Sequence, residues 1–382
     1  MNKLTIATLI SVGIAFATET RVNVLTQNSN RFGYANFILD DEYIIQFYPS
    51  ALFKFPSHFT IEIPNIPRNT VYGNYNYASA FGKYQNYGFG AYLGRDRVGI
   101  DLNLDGNVDF AVVPVDVVGA INLTSASLAL NLRFGNASID DKQNPSTIDD
   151  KQNPSTVNNA SVIGLNPSFT YNLSENSSIN IGIPLQFVNG SSKTGSTKNF
   201  DYKDNKFGFL GRFYNSIFIA YALYLNESQS SDNPSTSANP DIKITTNTFS
   251  AGGGVNLPIS DIGFGIIGFT ANVESQNRTV GSQETKTSDF FLGFLIGGEV
   301  KALRDNFKLR SSFTYDFLRN VDANVRTTGI GSVGDLTLGF GYEVEFIRFD
   351  ASVSTELIYN GPYFLTGVVS GFIPSISILG KF

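Results

Sequence analysis

From residue 57 onward the dominant signal along the chain is alternation with a period of two. In "INIGIPLQF" the apolar Ile179, Ile181, Ile183, Leu185 and Phe187 alternate with Asn180, Gly182, Pro184 and Gln186. In "DLTLGFGYEVEF" Leu336, Leu338, Phe340, Tyr342, Val344 and Phe346 alternate with polar or tiny residues. Leu128, Leu130, Leu132 and Phe134 repeat the pattern, as do Phe307, Leu309, Phe313, Tyr315 and Phe317. Successive side chains leave opposite faces of a strand, so each segment has one apolar face and one polar face. No helical period persists anywhere. Many of these segments run for about 10 to 13 residues, longer than the usual 5 to 6 of soluble sheets. A tilted strand needs about 9 to 11 residues to cross a membrane.

The connections alternate too. Short ones carry Gly, Ser, Asn or Asp, as in "TS" (Thr124, Ser125), "SENS" (174–177), "NS" (Asn215, Ser216) and "RDN" (304–306). Long polar ones fall between them, near 137–159, 189–204, 226–241, 274–287 and 318–333. Short turns at one end and long loops at the other are the pattern of a transmembrane antiparallel up-and-down β-barrel. A bilayer requires closure, because every backbone polar group in lipid must find a partner within the protein. A soluble sandwich also alternates, but it predicts neither the loop lengths nor strands this long. Spans from 86–95 to 371–382 give 14 strands; a further pair in 57–64 and 70–81 would make 16. The expected class is therefore all-β, a closed barrel of 14 or 16 strands.

Composition refines this picture. The chain holds 33 Phe and 18 Tyr, is 42% hydrophobic and only 16% charged. It has no cysteine, so disulfides and thiolate metal sites are excluded. Lys3 precedes an apolar stretch from Leu4 to Phe16, and Ala15, Phe16 and Ala17 form a small-x-small cleavage site. Residues 1–17 thus read as a secretory signal peptide. Removing Lys3 from the 27 basic residues leaves 26 against 33 acidic ones, a net charge of −7, which argues against nucleic acid as a partner. The terminal "SISILGKF", ending in Phe382, resembles the assembly signal of bacterial outer-membrane barrels.

Catalytic material is scarce. His58 is the single histidine and reads as a structural or rim residue, so an enzyme is not expected. The sharpest local motif is "DLNLDGNVD", in which Asp101, Asn103, Asp105, Asn107 and Asp109 hold positions 1, 3, 5, 7 and 9. Calcium takes oxygen ligands from alternating acidic loops of this kind. The alternation of Val98, Ile100, Leu102 and Leu104 up to Asp105-Gly106 reads equally as a hairpin turn. Calcium on an outer loop is the only cofactor this motif suggests. Glu299, Lys301, Lys308, Arg310, Glu343, Glu345 and Asp350 fall near short turns on the inward face, as a charged luminal wall. An exact tandem repeat, "IDDKQNPST" at 139–147 and 148–156, reads as a duplication within an exposed loop.

One stretch obeys none of these patterns. "NFILDDEYIIQFYPSALFKFPSHFTIEI" (36–63) puts Asp40, Asp41 and Glu42 inside an aromatic, proline-broken run. It resembles the N-terminal plug of the outer-membrane long-chain fatty-acid transporter family. Relatives of that family include barrels for hydrophobic-compound uptake and the shuttle barrel of type IX secretion. The family pattern pairs two aspartates with an Asn-Pro-Ala element eight residues later. Here Asp40 and Asp41 precede Pro49 and Ala51, with Tyr48 where the family has Asn and Ser50 inserted. The resemblance implies a plug over 18–56 and a barrel over 57–382, in the outer membrane of a bacterium. It implies passive uptake of hydrophobic small molecules such as fatty acids. Asp40, Asp41, Glu42, Tyr48 and Pro49 would then gate the lumen, the two aspartates docking on Lys308 and Arg310. The alternatives are a barrel that serves as a platform for a protein partner at its outer loops, and a general porin.

Overall fold

The computed structural model describes residues 37, 39, 42–64, 77–95, 98–102, 104, 109–141, 156–232, 241–259, 261–302, 304–322, 327–353 and 375–382. The strands are β1 (His58–Pro64), β2 (Tyr77–Tyr84), β3 (Tyr87–Leu93), β4 (Val98–Ile100), β5 (Phe110–Val112), β6 (Val115–Asn122) and β7 (Ala126–Asp141). Then come β8 (Thr156–Ser174), β9 (Ser177–Gly182), β10 (Leu185–Thr194), β11 (Thr197–Asn215), β12 (Phe218–Asp232) and β13 (Ile242–Ile259). The chain ends with β14 (Gly263–Val280), β15 (Gln283–Ala302), β16 (Arg304–Asp322), β17 (Thr327–Val344), β18 (Ile347–Val353) and β19 (Ser375–Lys381). All are antiparallel to their neighbours. Two 3-10 turns, Glu42–Gln46 and Pro49–Lys54, precede β1.

The sheet closes on itself. β1 pairs with β2 on one side and with β19 on the other, His58 opposite Lys381. β9 and β10 share one position between β8 and β11, because the strand breaks at Ile183 and Pro184. The 17 segments of the sheet therefore make 16 barrel strands. The count of 14 is corrected: β1 and β2 supply the extra pair, and closure through them leaves no open edge.

Outward positions form an apolar band. Phe207, Phe209 and Phe213 on β11 are exposed, while Leu210 and Arg212 between them are buried. Leu128 to Phe134 on β7, Phe294 and Ile296 on β15, and Phe59 to Ile63 on β1 continue the band around the barrel. So much contiguous exposed apolar surface marks a face made for lipid. Phe382 and the tight turns at 85–86, 175–176, 216–217 and 345–346 share one end of the barrel, here the turn end.

Above the band, strands continue where loops were expected. Residues 189–204 and 274–287 are strands joined by two-residue turns at Gly195 and Gly281, both with the positive φ that suits glycine (60° and 57°). Likewise β7 runs to Asp141, β8 starts at Thr156, and β12, β16 and β17 each trim an expected loop. Lengths of 15 to 20 residues in β11 to β15 exceed the 10 to 13 read from alternation. The reason is solvent. Beyond the lipid both faces of a strand meet water, so polar residues occupy both and the period-two signal vanishes.

Candidate functional site

A barrel of 16 strands is wide enough to leave an open channel unless something fills it. Among the described residues two segments turn inward. The first is the stretch from Phe37 to Phe55. Phe37, Leu39, Ile44, Ile45, Tyr48, Ala51, Leu52 and Phe55 are all buried, against Phe81, Tyr92, Val118, Leu210, Tyr221 and Leu295 of the wall. Phe37 packs at a tilt against Phe47 and Tyr221, with ring centroids 4.7 and 5.3 Å away. Pro49 opens the second 3-10 turn, where its fixed φ and missing N–H are tolerated.

An irregular backbone buried in a barrel must borrow hydrogen bonds from its surroundings. The wall supplies them. Arg212 donates to the carbonyls of Phe37 (2.9 Å) and Leu39 (2.8 Å). Asn166 Nδ2 donates to Phe47 O at 3.1 Å. Ser50 is held from three sides: its N–H donates to Ser168 Oγ (2.8 Å), its hydroxyl meets Thr170 Oγ1 (2.8 Å), and Ser127 Oγ donates to its carbonyl (2.7 Å). Lys83 Nζ reaches Phe53 O at 3.3 Å and also bonds Phe55 O. Lys54 lies over the Tyr214 ring at 3.5 Å.

Close approach depends on glycine here. A Cβ on Gly182 would lie 2.7 Å from Phe47 O, and one on Gly88 would lie 2.6 Å from Leu52 Cδ2. Gly182 sits directly before the break at Ile183-Pro184, so the interrupted part of the wall touches the inserted segment. Wall continuity persists across the break, because Ile183 donates to Pro167 O (3.0 Å) and Gly208 to Pro184 O (2.8 Å).

The second inward segment is the hairpin of β4 and β5. Ile100, Leu102, Leu104, Phe110 and Val112 are buried against Ala160, Val162, Val188 and Tyr202 on the inner wall of the opposite, loop end. Ser231 Oγ donates to Leu102 O, and Arg278 Nη2 donates to Leu104 O at 3.1 Å. Asp109 uses its carboxylate to accept the Leu102 N–H at 2.8 Å, closing the hairpin on itself. The motif expected on an outer loop is thus part of a hairpin folded into the barrel. Of its five candidate ligands, Asp101 and Asp109 are described; Asn103, Asp105 and Asn107 lie outside the described residues.

The predicted luminal charges divide. Glu299, Arg310 and Asp350 are buried together: Arg310 lies 2.5 Å from Glu299 and 2.6 Å from Asp350. Lys308 pairs with Glu343 at 3.0 Å. Lys301 and Glu345 are exposed. The cluster also holds two residues that alternation did not single out, Arg348 (2.9 Å from Asp350) and Lys381 (2.8 Å from Glu343). Asp40 and Asp41 lie outside the described residues, and so does their expected pairing with Lys308 and Arg310. Glu42 is buried in the first 3-10 turn. Tyr48 is buried between the two turns, and that burial pushes its phenol above the ordinary range, while Arg212 pulls the other way.

Arg212 is a further residue that the sequence pattern did not single out. Its signal was present: an arginine between Gly211 and Phe213 in a lipid-spanning strand must face inward and find partners.

No family model matches the chain, and no curated protein matches it. Solved structures do. The chain is similar to the alcaligin outer-membrane receptor FauA of Bordetella pertussis, with 8% identity over 78% of this chain and 60% of that one, at a TM-score of 0.45. It thus spans about 60% of that receptor's length. It is similar to a FadL homologue of Pseudomonas aeruginosa, with 12% identity over 97% of this chain and 100% of the other, at a TM-score of 0.45. It is similar to CymD, a monoaromatic hydrocarbon channel, with 11% identity over 89% of this chain and 92% of that one, at a TM-score of 0.34.

Proposed function

We infer that this chain is a passive bacterial outer-membrane channel for hydrophobic small molecules, with residues 18–56 serving as a luminal plug. The observation that supports it is the apolar filling of the lumen. The segment from Phe37 to Phe55 presents an aromatic, aliphatic surface to the apolar wall residues Phe81, Tyr92, Val118, Leu210, Tyr221 and Leu295. A water-filled general porin needs the opposite lining. Movement requires neither ATP nor covalent chemistry in this reading. The inserted segment loosens from its wall hydrogen bonds, and the passenger follows the apolar surface so exposed. The family that residues 36–63 resemble releases its substrates sideways through the wall. The break at Ile183-Pro184, in contact with Phe47 through Gly182, is where we place such an exit.

The direct test is entry of a hydrophobic dye, N-phenyl-1-naphthylamine, into intact cells that express the full chain. Entry several-fold faster than in cells without it is the expected result; equal rates overturn the reading. The barrel itself is checked by heat-modifiable migration in detergent gels, since a closed barrel resists SDS until heated. A second reading, a platform for a protein partner, draws support from the polar walls of β11 to β15 that rise above the apolar band. A dominant co-purifying protein, with dye entry unchanged on deletion of the gene, would favour it.

A further inference from the structure

On the outer face of the barrel the apolar band gives way to a hollow. Phe134, Ile163 and Phe187 stand in one rung across β7, β8 and β10, all of them exposed. Two residues further toward the loop end the rung is Asn136, Ser161 and Asn189, and the next is Ser138, Asn159 and Ser191. These six residues, with Asp201 of β11, line a cavity of about 470 Å³. That volume falls within the range of about 300 to 1,000 Å³ usual for small-molecule sites. The hollow opens outward. The alternate positions Ala160 and Gly190 are buried, and a Cβ on Gly190 would meet Leu102 and Tyr202 of the interior.

The lining suits hydroxyl groups. Each asparagine offers a carbonyl acceptor and an NH2 donor, and each serine a hydroxyl that does both. Asn136, Ser138, Asn159 and Asn189 are exposed, which leaves their polar ends open to a ligand. Strands stand about 4.8 Å apart and like-facing residues on a strand about 6.8 Å apart, so neighbouring side chains can meet neighbouring hydroxyls of one sugar ring. Charge is nearly balanced here. Lys198 lies 2.7 Å from Asp201. Around the hollow, among the described residues, Lys193, Lys198 and Lys203 stand against Asp201 and Asp232, a surplus of one positive charge. Phosphate recognition draws on converging arginines and lysines; an uncharged polyhydroxyl group needs only these amides and hydroxyls. Position selects the source. A lipid whose acyl chains lie along Phe134, Ile163 and Phe187 carries its headgroup to the level of the hollow, whereas a free sugar gains nothing from that apolar rung.

We propose that this hollow seats the uncharged sugar headgroup of a membrane glycolipid in the leaflet at the loop end. Asn136, Asn159 and Asn189 hydrogen-bond the sugar, and the acyl chains lie on Phe134, Ile163 and Phe187. The inference goes beyond the transport reading and does not depend on it, since it uses only the outer face of the wall and its contact with lipid.

The test is native mass spectrometry of the full-length protein, released from micelles after mixing with equal amounts of three lipids that share their acyl chains. These are monogalactosyl dioleoylglycerol, dioleoylphosphatidylglycerol and dioleoylphosphatidylethanolamine. The galactolipid should be retained at least about fivefold more than either phospholipid. Added salt should leave that ratio unchanged, because no ion pair carries the recognition. The double variant Asn159→Leu/Asn189→Leu should bring the three lipids to within about twofold of one another while dye entry stays at the wild-type rate. Equal retention by the wild type, a preference for phosphatidylglycerol, or an unchanged ratio in the folded variant overturns the glycolipid assignment and leaves the transport reading standing. Absence of dye entry with the galactolipid preference intact overturns the transport reading alone. If the double variant gives no heat-modifiable band, Ser161→Ala/Ser191→Ala takes its place, with the same narrowing expected in direction.

Discussion

The two segments that fill this barrel are built in opposite ways. The Phe37–Phe55 stretch has no ladder of its own, and the wall therefore holds it through Arg212, Asn166, Ser127, Ser168, Thr170 and Lys83. The β4–β5 hairpin pairs its own backbone, Val98 opposite Val112, and is seated by Ser231 and Arg278 together with apolar contacts to Val162, Val188 and Tyr202. The irregular segment is thus held by many separate wall contacts.

Substitutions can break this contrast, and they rank by how much of it each removes. Arg212→Ala should have the largest effect. It takes charge-assisted hydrogen bonds from two buried carbonyls at once, at a cost of about 3 kcal/mol. Planar-bilayer recordings should change from quiet to steadily conducting while the heat-modifiable band remains. Gly182→Ala comes next: its Cβ would meet Phe47 O at 2.7 Å, so the segment must shift, costing about 2 kcal/mol. Dye entry should rise, by less than in Arg212→Ala.

The hairpin should respond more weakly. Ser231→Ala removes one bond to Leu102 O, worth about 1 kcal/mol. The chain has no cysteine, so Leu104→Cys gives a clean reporter, whose thiol should label about fivefold faster with Ser231→Ala added. Gly190→Ala should be the mildest. Its Cβ would lie 3.2 Å from Leu102 Cδ2 and 3.3 Å from Tyr202 Cδ1, contacts that a small side-chain movement relieves, for under about 1 kcal/mol. Should Gly190→Ala open the barrel more than Gly182→Ala, the contrast between the two segments is wrong.

Much of this was readable in advance, and the omissions have physical causes. Phe207, Phe209 and Phe213 alternate because lipid touches one face of β11, and a bilayer imposes that pattern locally. Lys203, Asn205 and Thr245 carry no such mark, since water wets both faces above the band; only Gly195 and Gly281 hinted at tight turns there. The prolines of residues 36–63 marked a stretch unsuited to a regular strand before β1, and Asp40 and Asp41 within it lie outside the described residues. The grip on Ser50 was invisible, because Ser127, Ser168 and Thr170 are ordinary inward residues of strands far along the chain. The hairpin at 98–112 was legible as a hairpin; that Ile100 and Leu102 would turn to Val162, Val188 and Tyr202 was not.

The sequence by itself determined which side chains of each strand face lipid, where most tight turns fall, and which segment could not be a strand. Those are local properties, set by the period of the backbone and the solvent on each face. Tertiary structure alone decided that His58 meets Lys381 to close 16 strands, that Arg212 holds Phe37 and Leu39, and that Glu274 stands opposite Asp289. Inward polar residues are interchangeable in a sequence pattern, and only the register and closure of the barrel bring particular ones face to face across the lumen.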